Sequence, residues 1–275
     1  MIQYPLAVGG ILTRVIESGA GGPLVFVHGL GARADRWRGT VETFGREGFR
    51  AIAFDLPGHG FATKGGELPY SVPFYAECLR SVLDALGIGA VFVVGTSLGG
   101  HVAAAFACGA PERVRGLMLV GAVGLVPLGR EAAEAVRRNV RLTGRADIDA
   151  KLRFVLADPA HVTPDLVEEE WRVNNSPGAA EAFERLGDYL VAEIDAHNVL
   201  ERLSALRGCF PIRLVWGSED RPVPASIGEE AAKRLELPPP AIIAAAGHAP
   251  YLERPSEFAA ELRSFLAAAR AGRGA

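Results

Sequence analysis

The sequence contains few cysteines and no long apolar run, and each of these features excludes a class of protein. Cys78, Cys108 and Cys209 are the only cysteines among 275 residues. They lie far apart without CxxC or CxxH spacing, so the sequence predicts neither a disulfide framework nor a zinc site. No stretch approaches the roughly 20 apolar residues that a membrane-spanning helix needs, and the N-terminus lacks the pattern of a signal peptide. We therefore expect a cytoplasmic protein without a membrane partner.

A surplus of one charge sign is also absent. Lysine and arginine together number 29 and aspartate and glutamate 32, which gives a formal net charge of −3. No basic stripe is present, so the sequence predicts no nucleic-acid partner. No metal-ligand cluster or dinucleotide fingerprint is present either, and we expect no metal and no cofactor. The length is sufficient for one large domain, or for a domain that carries an insert.

Short apolar runs alternate with helical patterns along the chain. Helical spacing marks residues 70–87, where Gly87 suits the C-terminal cap, and residues 101–109. This alternation predicts parallel strands, and runs that are apolar on both faces predict a sheet covered by helices on both sides. The predicted fold class is therefore α/β with a mostly parallel sheet. The predicted strands, each ending at a turn signal, are 23–28, the run from 50 up to Asp55, 90–95, 115–122, 212–217 and 241–247.

One segment interrupts the alternation of strands and helices. Between about residues 126 and 205 the sequence has amphipathic helical patterns, separated by Thr-Pro, Asn and Pro-Gly breaks, and no convincing strand. Loops at the carboxyl ends of parallel strands border the ligand crevice of an open α/β sheet. We therefore predict a first core segment over 1–125, a helical cap over 126–205 and a second core segment over 206–275.

The segment GTSLGG at 95–100 joins a predicted strand to a predicted helix. Such an abrupt reversal forces its middle residue into an unusual backbone conformation and leaves no room for side chains two positions away, where Gly95 and Gly99 stand. Ser97 would project at the end of the strand, with the N–H of Leu98 available to an oxyanion. A serine here could instead only cap the helix. The strand before it and the helix after it favour a nucleophile.

A serine nucleophile needs a base, and the base needs an orienting acid. His248 follows the last predicted strand, and Asp220 follows the strand before it. Each has a simpler interpretation, since Asp220 could form a turn and His248 could be a loop histidine with satisfied hydrogen bonds. Their shared position in strand-end loops, in the order Ser, Asp, His, favours a triad. Glu219 remains a rival for the acid.

Five motifs together resemble the α/β-hydrolase fold superfamily, and they extend over nearly the whole core. The resemblance implies that Ser97 is the nucleophile, that His248 is the general base and then the acid, and that Asp220 orients it. It also implies an oxyanion hole formed by the backbone N–H groups of Leu30 and Leu98. The motifs are HGLG (28–31), FDLPGHG (54–60), GTSLGG (95–100), GSED (217–220) and GHAPYLERP (247–255).

The serine at position 97 argues against relatives that need an aspartate there, the haloalkane dehalogenases and epoxide hydrolases. The resemblance implies cofactor-free cleavage of an ester or lactone of a small to medium organic substrate through an acyl-enzyme. The chain also resembles carbon–carbon hydrolases that act on ring-cleavage products. Those enzymes usually have Asn before the nucleophile and Trp after the catalytic histidine, where Thr96 and Ala249 stand here. A small-molecule receptor on the same fold is a third alternative, disfavoured because all three triad residues are present.

Six residues are candidates for the substrate pocket. Arg36 or Arg172 could meet a substrate carboxylate, although an arginine on an amphipathic helix usually faces solvent and a helical tryptophan usually packs in the core. The sequence leaves the oligomeric state open. The candidates are Arg36 and Trp37 after the HGLG motif, and Phe154, Trp171, Arg172 and Tyr189 in the predicted cap.

Overall fold

The computed structural model describes residues 1–271 and is built around one eight-stranded sheet. The strand order across this sheet is β1-β2-β4-β3-β5-β6-β7-β8. Residues 272–275, which end the second predicted core segment, lie outside the described residues. The strands are β1 (Ile2–Val8), β2 (Ile11–Ser18), β3 (Gly22–Val27), β4 (Phe49–Phe54), β5 (Val91–Thr96), β6 (Val114–Val120), β7 (Ile212–Gly217) and β8 (Ala241–Ile243).

Helices follow most of these strands, as an α/β fold requires. Within residues 1–271 they are α1 (Arg38–Arg46), α2 (Val72–Ala85), α3 (Leu98–Gly109), α4 (Arg130–Val140), α5 (Arg145–Val155), α6 (Pro164–Asn174), α7 (Ala179–Ala192), α8 (Leu200–Ala205), α9 (Ala225–Leu235), α10 (Pro250–Glu253) and α11 (Pro255–Ala271). Single 3-10 turns precede α1 and lie in several loops.

The predicted fold class is confirmed, because β3 to β8 pair in parallel. The sequence prediction lacked the antiparallel strands β1 and β2, which extend the sheet beyond β4. Their turn is formed by Gly9 and Gly10, both with positive φ angles, as a tight hairpin requires. The side chains of β1 are mostly exposed. Its apolar content is therefore less diagnostic of a strand than the buried runs of the central strands.

The last predicted strand was too long. The run AIIAAAG at 241–247 forms only three residues of strand, and Ala245 then adopts a left-handed conformation with a φ of 51°. The Ser218 hydroxyl accepts a hydrogen bond from the Ala245 N–H at 3.0 Å and stabilises this turn. The chain therefore leaves the sheet early and turns toward the end of β7, where Asp220 lies.

Buried side chains on the two faces of the sheet form two apolar layers. Along β3, Val25 and Val27 point into one layer, while Leu24 and Phe26 point into the other. The first layer is covered by α2, α3, α8 and α9, and the second by α1 and α11. Burial of each such side chain contributes about 1.5–3 kcal/mol relative to leaving it exposed, so these two layers are the main source of stability.

The connection between β6 and β7 contains five helices, α4 to α8, and no strand. Helix α4 packs on α7, and α5 packs on α6. Asp195 accepts hydrogen bonds from the N–H groups of Leu128 and Gly129, which fastens the start of this segment to its end. Helix α8 packs against α3 and α9 rather than against the other four. No helix among residues 1–271 is long and apolar enough to cross a bilayer.

Candidate active site

Ser97 occupies the sharp turn between β5 and α3. Its φ of 54° and ψ of −122° are unusual for a residue other than glycine, so the surrounding packing must hold it there. Ser97 stands at the N-cap position of α3, yet its side chain makes no capping hydrogen bond. Its carbonyl oxygen accepts hydrogen bonds from the N–H groups of Gly100, His101 and Val123. The backbone is thus fixed on both sides, and the hydroxyl remains available.

The glycines around Ser97 allow the strand and the helix to approach closely. A Cβ atom at Gly95 would lie 2.2 Å from the carbonyl oxygen of Gly99, and one at Gly99 would lie 2.3 Å from that of His28. A Cβ atom at Gly29 would lie 3.0 Å from the Cβ of Ser97 itself. The first two distances are too short for a real side chain, and the third is tighter than an ordinary Cβ contact. The glycine pattern of the sequence therefore reflects backbone contacts at this turn.

His248 and Asp220 form a buried pair at the carboxyl edge of the sheet. Nδ1 of His248 lies 2.9 Å and 2.8 Å from the two carboxylate oxygens of Asp220. Asp220 Oδ1 also accepts a hydrogen bond from the Val223 N–H at 2.9 Å. The contact between His248 and Asp220 places the hydrogen of the ring on Nδ1 and leaves Nε2 as the acceptor. Gly121, just after β6, lies beneath the pair, because a Cβ there would be 2.7 Å from Asp220.

Glu219, the rival acid, has a different environment. Its side chain is exposed, and its N–H donates to the Ala246 carbonyl. The hydrogen bonds of the His248 ring go to Asp220 instead.

Two other histidines, His28 and His59, are fully buried in the loops after β3 and β4. They form an edge-on ring contact at 5.3 Å.

The loop after β3 carries the predicted oxyanion donor Leu30. His28 fixes its start, since Nδ1 donates to the Gly29 carbonyl at 2.8 Å and Nε2 accepts from the Leu56 N–H at 2.9 Å. Burial lowers the pKa of His28, so the ring is neutral. No hydrogen bond to another described residue occupies the N–H of Leu30 or of Leu98. Both donors therefore remain free for a ligand oxygen.

A single cavity of about 570 Å³ joins these groups. Its wall includes Ser97, His248, Leu30 and Leu98 on the side of the sheet. Apolar side chains from the segment between β6 and β7 make up much of the remainder. This volume lies within the usual range for small-molecule pockets. These apolar residues are Leu128, Val136, Val140, Ile148, Leu152, Phe183, Leu190 and Ile194.

The structure places two of the six pocket candidates on the cavity wall. Arg36 lies in the turn before α1 and is mostly buried, with one guanidinium nitrogen 2.8 Å from Glu170. Phe154 lies near the end of α5 and is half exposed, so it stands where the cavity meets solvent. The other four candidates do not line the cavity.

Packing explains the position of these four side chains. Trp37 is buried beneath the cavity and stacks on Tyr251 at 3.8 Å between ring centroids. Trp171 is covered by the Arg145 guanidinium at 3.5 Å, and Arg172 is 71 % exposed in an ion pair with Glu168. The Tyr189 hydroxyl contacts Nδ1 of His197 at 2.9 Å in the protein interior.

Three wall residues near Ser97 were not among the sequence candidates. Glu170 is buried and contacts Arg36, Thr96 precedes Ser97, and Tyr251 follows His248 by three positions. A helical glutamate two positions from an arginine usually faces solvent, so no local pattern singles out Glu170. Thr96 and Tyr251 could have been selected because each lies within three positions of a predicted catalytic residue. Among residues 1–271, no group of three or more His, Cys, Asp or Glu side chains could hold a metal ion.

The chain matches a known protein family and is similar in sequence to known proteins. A family model described as alpha/beta hydrolase fold matches residues 22–255. The chain is 30% identical over 269 residues to the dihydrolipoyllysine-residue acetyltransferase component of the acetoin cleaving system from Pseudomonas putida, covering 94% of this chain and 68% of the relative. It is 29% identical to a 2-hydroxy-6-oxo-2,4-heptadienoate hydrolase from Pseudomonas putida, covering 94% of both.

A solved structure is similar to the chain along nearly its whole length. The meta-cleavage product hydrolase from Pseudomonas fluorescens superposes with a TM-score of 0.83 at 25% sequence identity. The match covers 97% of this chain and 98% of that one. The similarity therefore includes the helices between β6 and β7 as well as the sheet.

Proposed function

This chain belongs to the α/β-hydrolase fold family. We propose that it is a cofactor-free serine hydrolase that cleaves an ester or lactone. The substrate is a small to medium organic molecule, and the reaction passes through an acyl-enzyme. The single observation that carries the proposal is the shared cavity. It brings Ser97 in its strained turn together with His248, whose Nδ1 is held by Asp220.

Each group has a defined task in the proposed reaction. His248 Nε2 accepts the proton of the Ser97 hydroxyl while Oγ attacks the substrate carbonyl, and Asp220 stabilises the imidazolium that results. The N–H groups of Leu30 and Leu98 donate to the oxyanion of the tetrahedral intermediate. His248 then gives its proton to the leaving alcohol. A water molecule, activated by the same ring, attacks the acyl-enzyme and releases the acid.

The helices α4 to α7 act in this proposal as a cap over the site, within the segment 126–205. Their apolar side chains supply the wall against which an acyl chain packs, while Leu30 and Leu98 lie on the side of the sheet. Exclusion of water strengthens hydrogen bonds to the oxyanion, because the local dielectric constant is low. Phe154, half exposed at the cavity wall, would border the entrance.

Carbon–carbon hydrolysis of a ring-cleavage product is the second candidate. It is favoured by the 29% identity to a 2-hydroxy-6-oxo-2,4-heptadienoate hydrolase over 94% of both chains. Two positions beside the catalytic groups argue against it, since Thr96 and Ala249 stand where those enzymes usually have Asn and Trp. We therefore rank ester or lactone cleavage first.

A substrate panel tests the proposal. The panel contains 4-nitrophenyl esters of increasing acyl length, an aromatic lactone and a 2-hydroxy-6-oxo-dienoate ring-cleavage product. We expect ester or lactone turnover, and we expect Ser97→Ala to lower kcat/KM by about 10⁴-fold or more, as loss of a serine nucleophile does. Ser256→Ala, an exposed serine at the start of α11, is the matched control and should keep wild-type rates.

The panel has two outcomes that contradict the proposal. Turnover of the dienoate without ester or lactone turnover would select carbon–carbon hydrolysis. Absence of turnover for every class, in protein with normal thermal unfolding, would favour a small-molecule receptor on this fold.

A further inference from the structure

An ion-pair network runs from the sheet to α6 and reaches the cavity. It contains four arginines and four carboxylates, so its formal charges cancel. Asp35 lies near its centre: burial opposes ionisation, but hydrogen bonds from Arg14 and Arg38 lower the pKa of Asp35 to about 2. The members are Arg14, Arg33, Arg36 and Arg38 with Asp35, Asp55, Glu169 and Glu170.

Two members of this network, Arg36 and Glu170, line the cavity. The Glu170 side chain is only 4% exposed, and its Oε1 accepts from Arg33 at 2.7 Å and from Arg36 at 2.8 Å. Glu170 therefore neutralises the arginine that faces the ligand. A guanidinium with its counter-charge already in place offers hydrogen-bond donors rather than a net positive charge.

Two hydroxyl groups connect this pair to the nucleophile. Thr96 directly precedes Ser97, and the neighbour of its buried Oγ1 is the Tyr251 phenol, at a geometry looser than that of a regular hydrogen bond. The Tyr251 phenol lies beside Thr96 and close enough to Arg36 to feel its charge. Burial raises the pKa of Tyr251 to about 12, so the phenol is a neutral donor. Two buried hydroxyls that share one loose contact have hydrogen-bonding capacity left, which a ligand oxygen would use.

We propose that Thr96, Tyr251, Arg36 and Glu170 form a polar subsite that binds a neutral oxygen function on the acyl part of the substrate. A keto, hydroxyl or amide oxygen accepts hydrogen bonds from the two hydroxyls and from Arg36, and a donor on the same group can reach Glu170. A carboxylate would lose its hydration without gaining an unpaired positive charge, so this subsite discriminates against it. The inference rests on the proposed function, because it concerns the acyl group that Ser97 attacks.

Lys151 is the other lysine or arginine on the cavity wall. It lies on α5, where its Nζ donates to the Leu142 carbonyl. Burial lowers the pKa of Lys151, although the nearby Asp147 opposes this effect. The Lys151 ammonium is therefore already engaged in part, by the Leu142 carbonyl and by the charge of Asp147.

Esters that share a six-carbon acyl chain test the subsite. The substrates are the 4-nitrophenyl esters of hexanoate, 4-oxohexanoate and 5-oxohexanoate, and the mono-4-nitrophenyl ester of adipate. We expect one of the keto esters to exceed hexanoate in kcat/KM by about threefold to tenfold, the value of one or two net hydrogen bonds. We expect kcat/KM for the adipate ester to be about tenfold or more below that for the hexanoate ester.

Two variants locate the effect. Glu170→Gln keeps an acceptor for Arg33 but removes the counter-charge of Arg36, so we expect the adipate-to-hexanoate ratio of kcat/KM to rise about tenfold. Arg36→Gln should remove most of the keto preference. Glu168→Gln, the same substitution on a partly exposed residue of α6 that does not line the cavity, is the matched control and should leave both ratios unchanged.

The outcomes separate this inference from the proposed function. Efficient hydrolysis of hexanoate with no keto preference, or with a preference for adipate, overturns the subsite alone. The subsite is also overturned if Glu170→Gln retains hexanoate activity but leaves the adipate-to-hexanoate ratio of kcat/KM unchanged. No hydrolysis of any ester by folded wild-type protein overturns the proposed function and the subsite together.

Discussion

At the scale of single residues, the most demanding position is Ser97. A non-glycine residue at a φ of 54° carries about 1–3 kcal/mol of backbone strain, which the contacts of its neighbours must offset. Gly95, Gly99 and Gly29 make those contacts possible by their lack of side chains. The strain directs the hydroxyl into the cavity instead of toward the helix N–H groups, where a capping serine would bind.

The Asp220–His248 contact gives a prediction at the same scale. Asp220→Asn keeps the shape of the side chain but can favour the wrong tautomer of His248, because an amide nitrogen cannot accept the Nδ1 proton. We expect ester kcat to fall by about 10⁴-fold while thermal unfolding changes little. The measurement is the pre-steady-state and steady-state rate on a 4-nitrophenyl ester.

Glu219→Gln is the control for that prediction, because Glu219 is the adjacent, exposed carboxylate. It should retain at least half of the wild-type rate. If Glu219→Gln lowered kcat as strongly as Asp220→Asn, Asp220 would not be the residue that orients His248.

At the scale of secondary-structure elements, the loop that carries His248 is fastened to the end of α5. Glu253 in α10 is 3% exposed, and its carboxylate accepts from the N–H groups of Gly247 at 2.8 Å and Ala157 at 2.6 Å. The His248 N–H donates to the Val155 carbonyl at 2.8 Å. A movement of α5 would therefore be transmitted to the proposed base.

Glu253→Gln tests this connection. The amide oxygen can occupy only one of the two carboxylate positions, so at least one N–H group loses its acceptor, at a cost of about 1–3 kcal/mol in the free energy of unfolding. We expect kcat for a small ester to fall about tenfold with little change in KM, and amide exchange to increase at residues 155–158. Hydrogen exchange and steady-state kinetics on the same samples measure both effects.

Glu257→Gln, an exposed carboxylate in the first turn of α11, is the matched control and should change neither quantity. Loss of stability in Glu253→Gln without a change in kcat or in exchange at 155–158 would contradict the link between the end of α5 and His248.

The sequence predicted elements best where burial is uniform. The runs of β3, β4, β5 and β7 are apolar on both faces and end at turns, so their positions agreed with the prediction within a few residues. The hairpin of β1 and β2 was missing from it, because half-exposed strands lack a continuous apolar run. The early end of β8 depends on a hydrogen bond from Ala245 to Ser218, 27 positions away, which no local pattern reveals.

The site was predictable to a similar extent. Motifs and strand ends identified Ser97, Asp220, His248, Leu30 and Leu98, all of which the structure brings to one edge of the sheet. The pocket wall was harder, because its members depend on how α4 to α7 pack over the sheet. The pairing of Arg36 with Glu170, 134 positions apart, is an example.

At the scale of the whole molecule, two apolar layers stabilise the sheet and a third group of helices encloses the cavity. The strand ends supply polar groups, and the helices between β6 and β7 supply apolar wall residues and Glu170, which pairs with Arg36 of the turn before α1. The two apolar layers stabilise the fold, so the cavity beside them can keep polar groups available to a ligand.

Labelling with a fluorophosphonate tests the nucleophile directly, because the reagent reacts with an activated serine and needs no knowledge of the substrate. Intact-mass analysis and peptide mapping of the wild-type protein should give one adduct per chain, on Ser97, and Ser97→Ala should give none. Folded wild-type protein that remains unlabelled, or that carries its adduct on another residue, would contradict the assignment of Ser97 as the nucleophile.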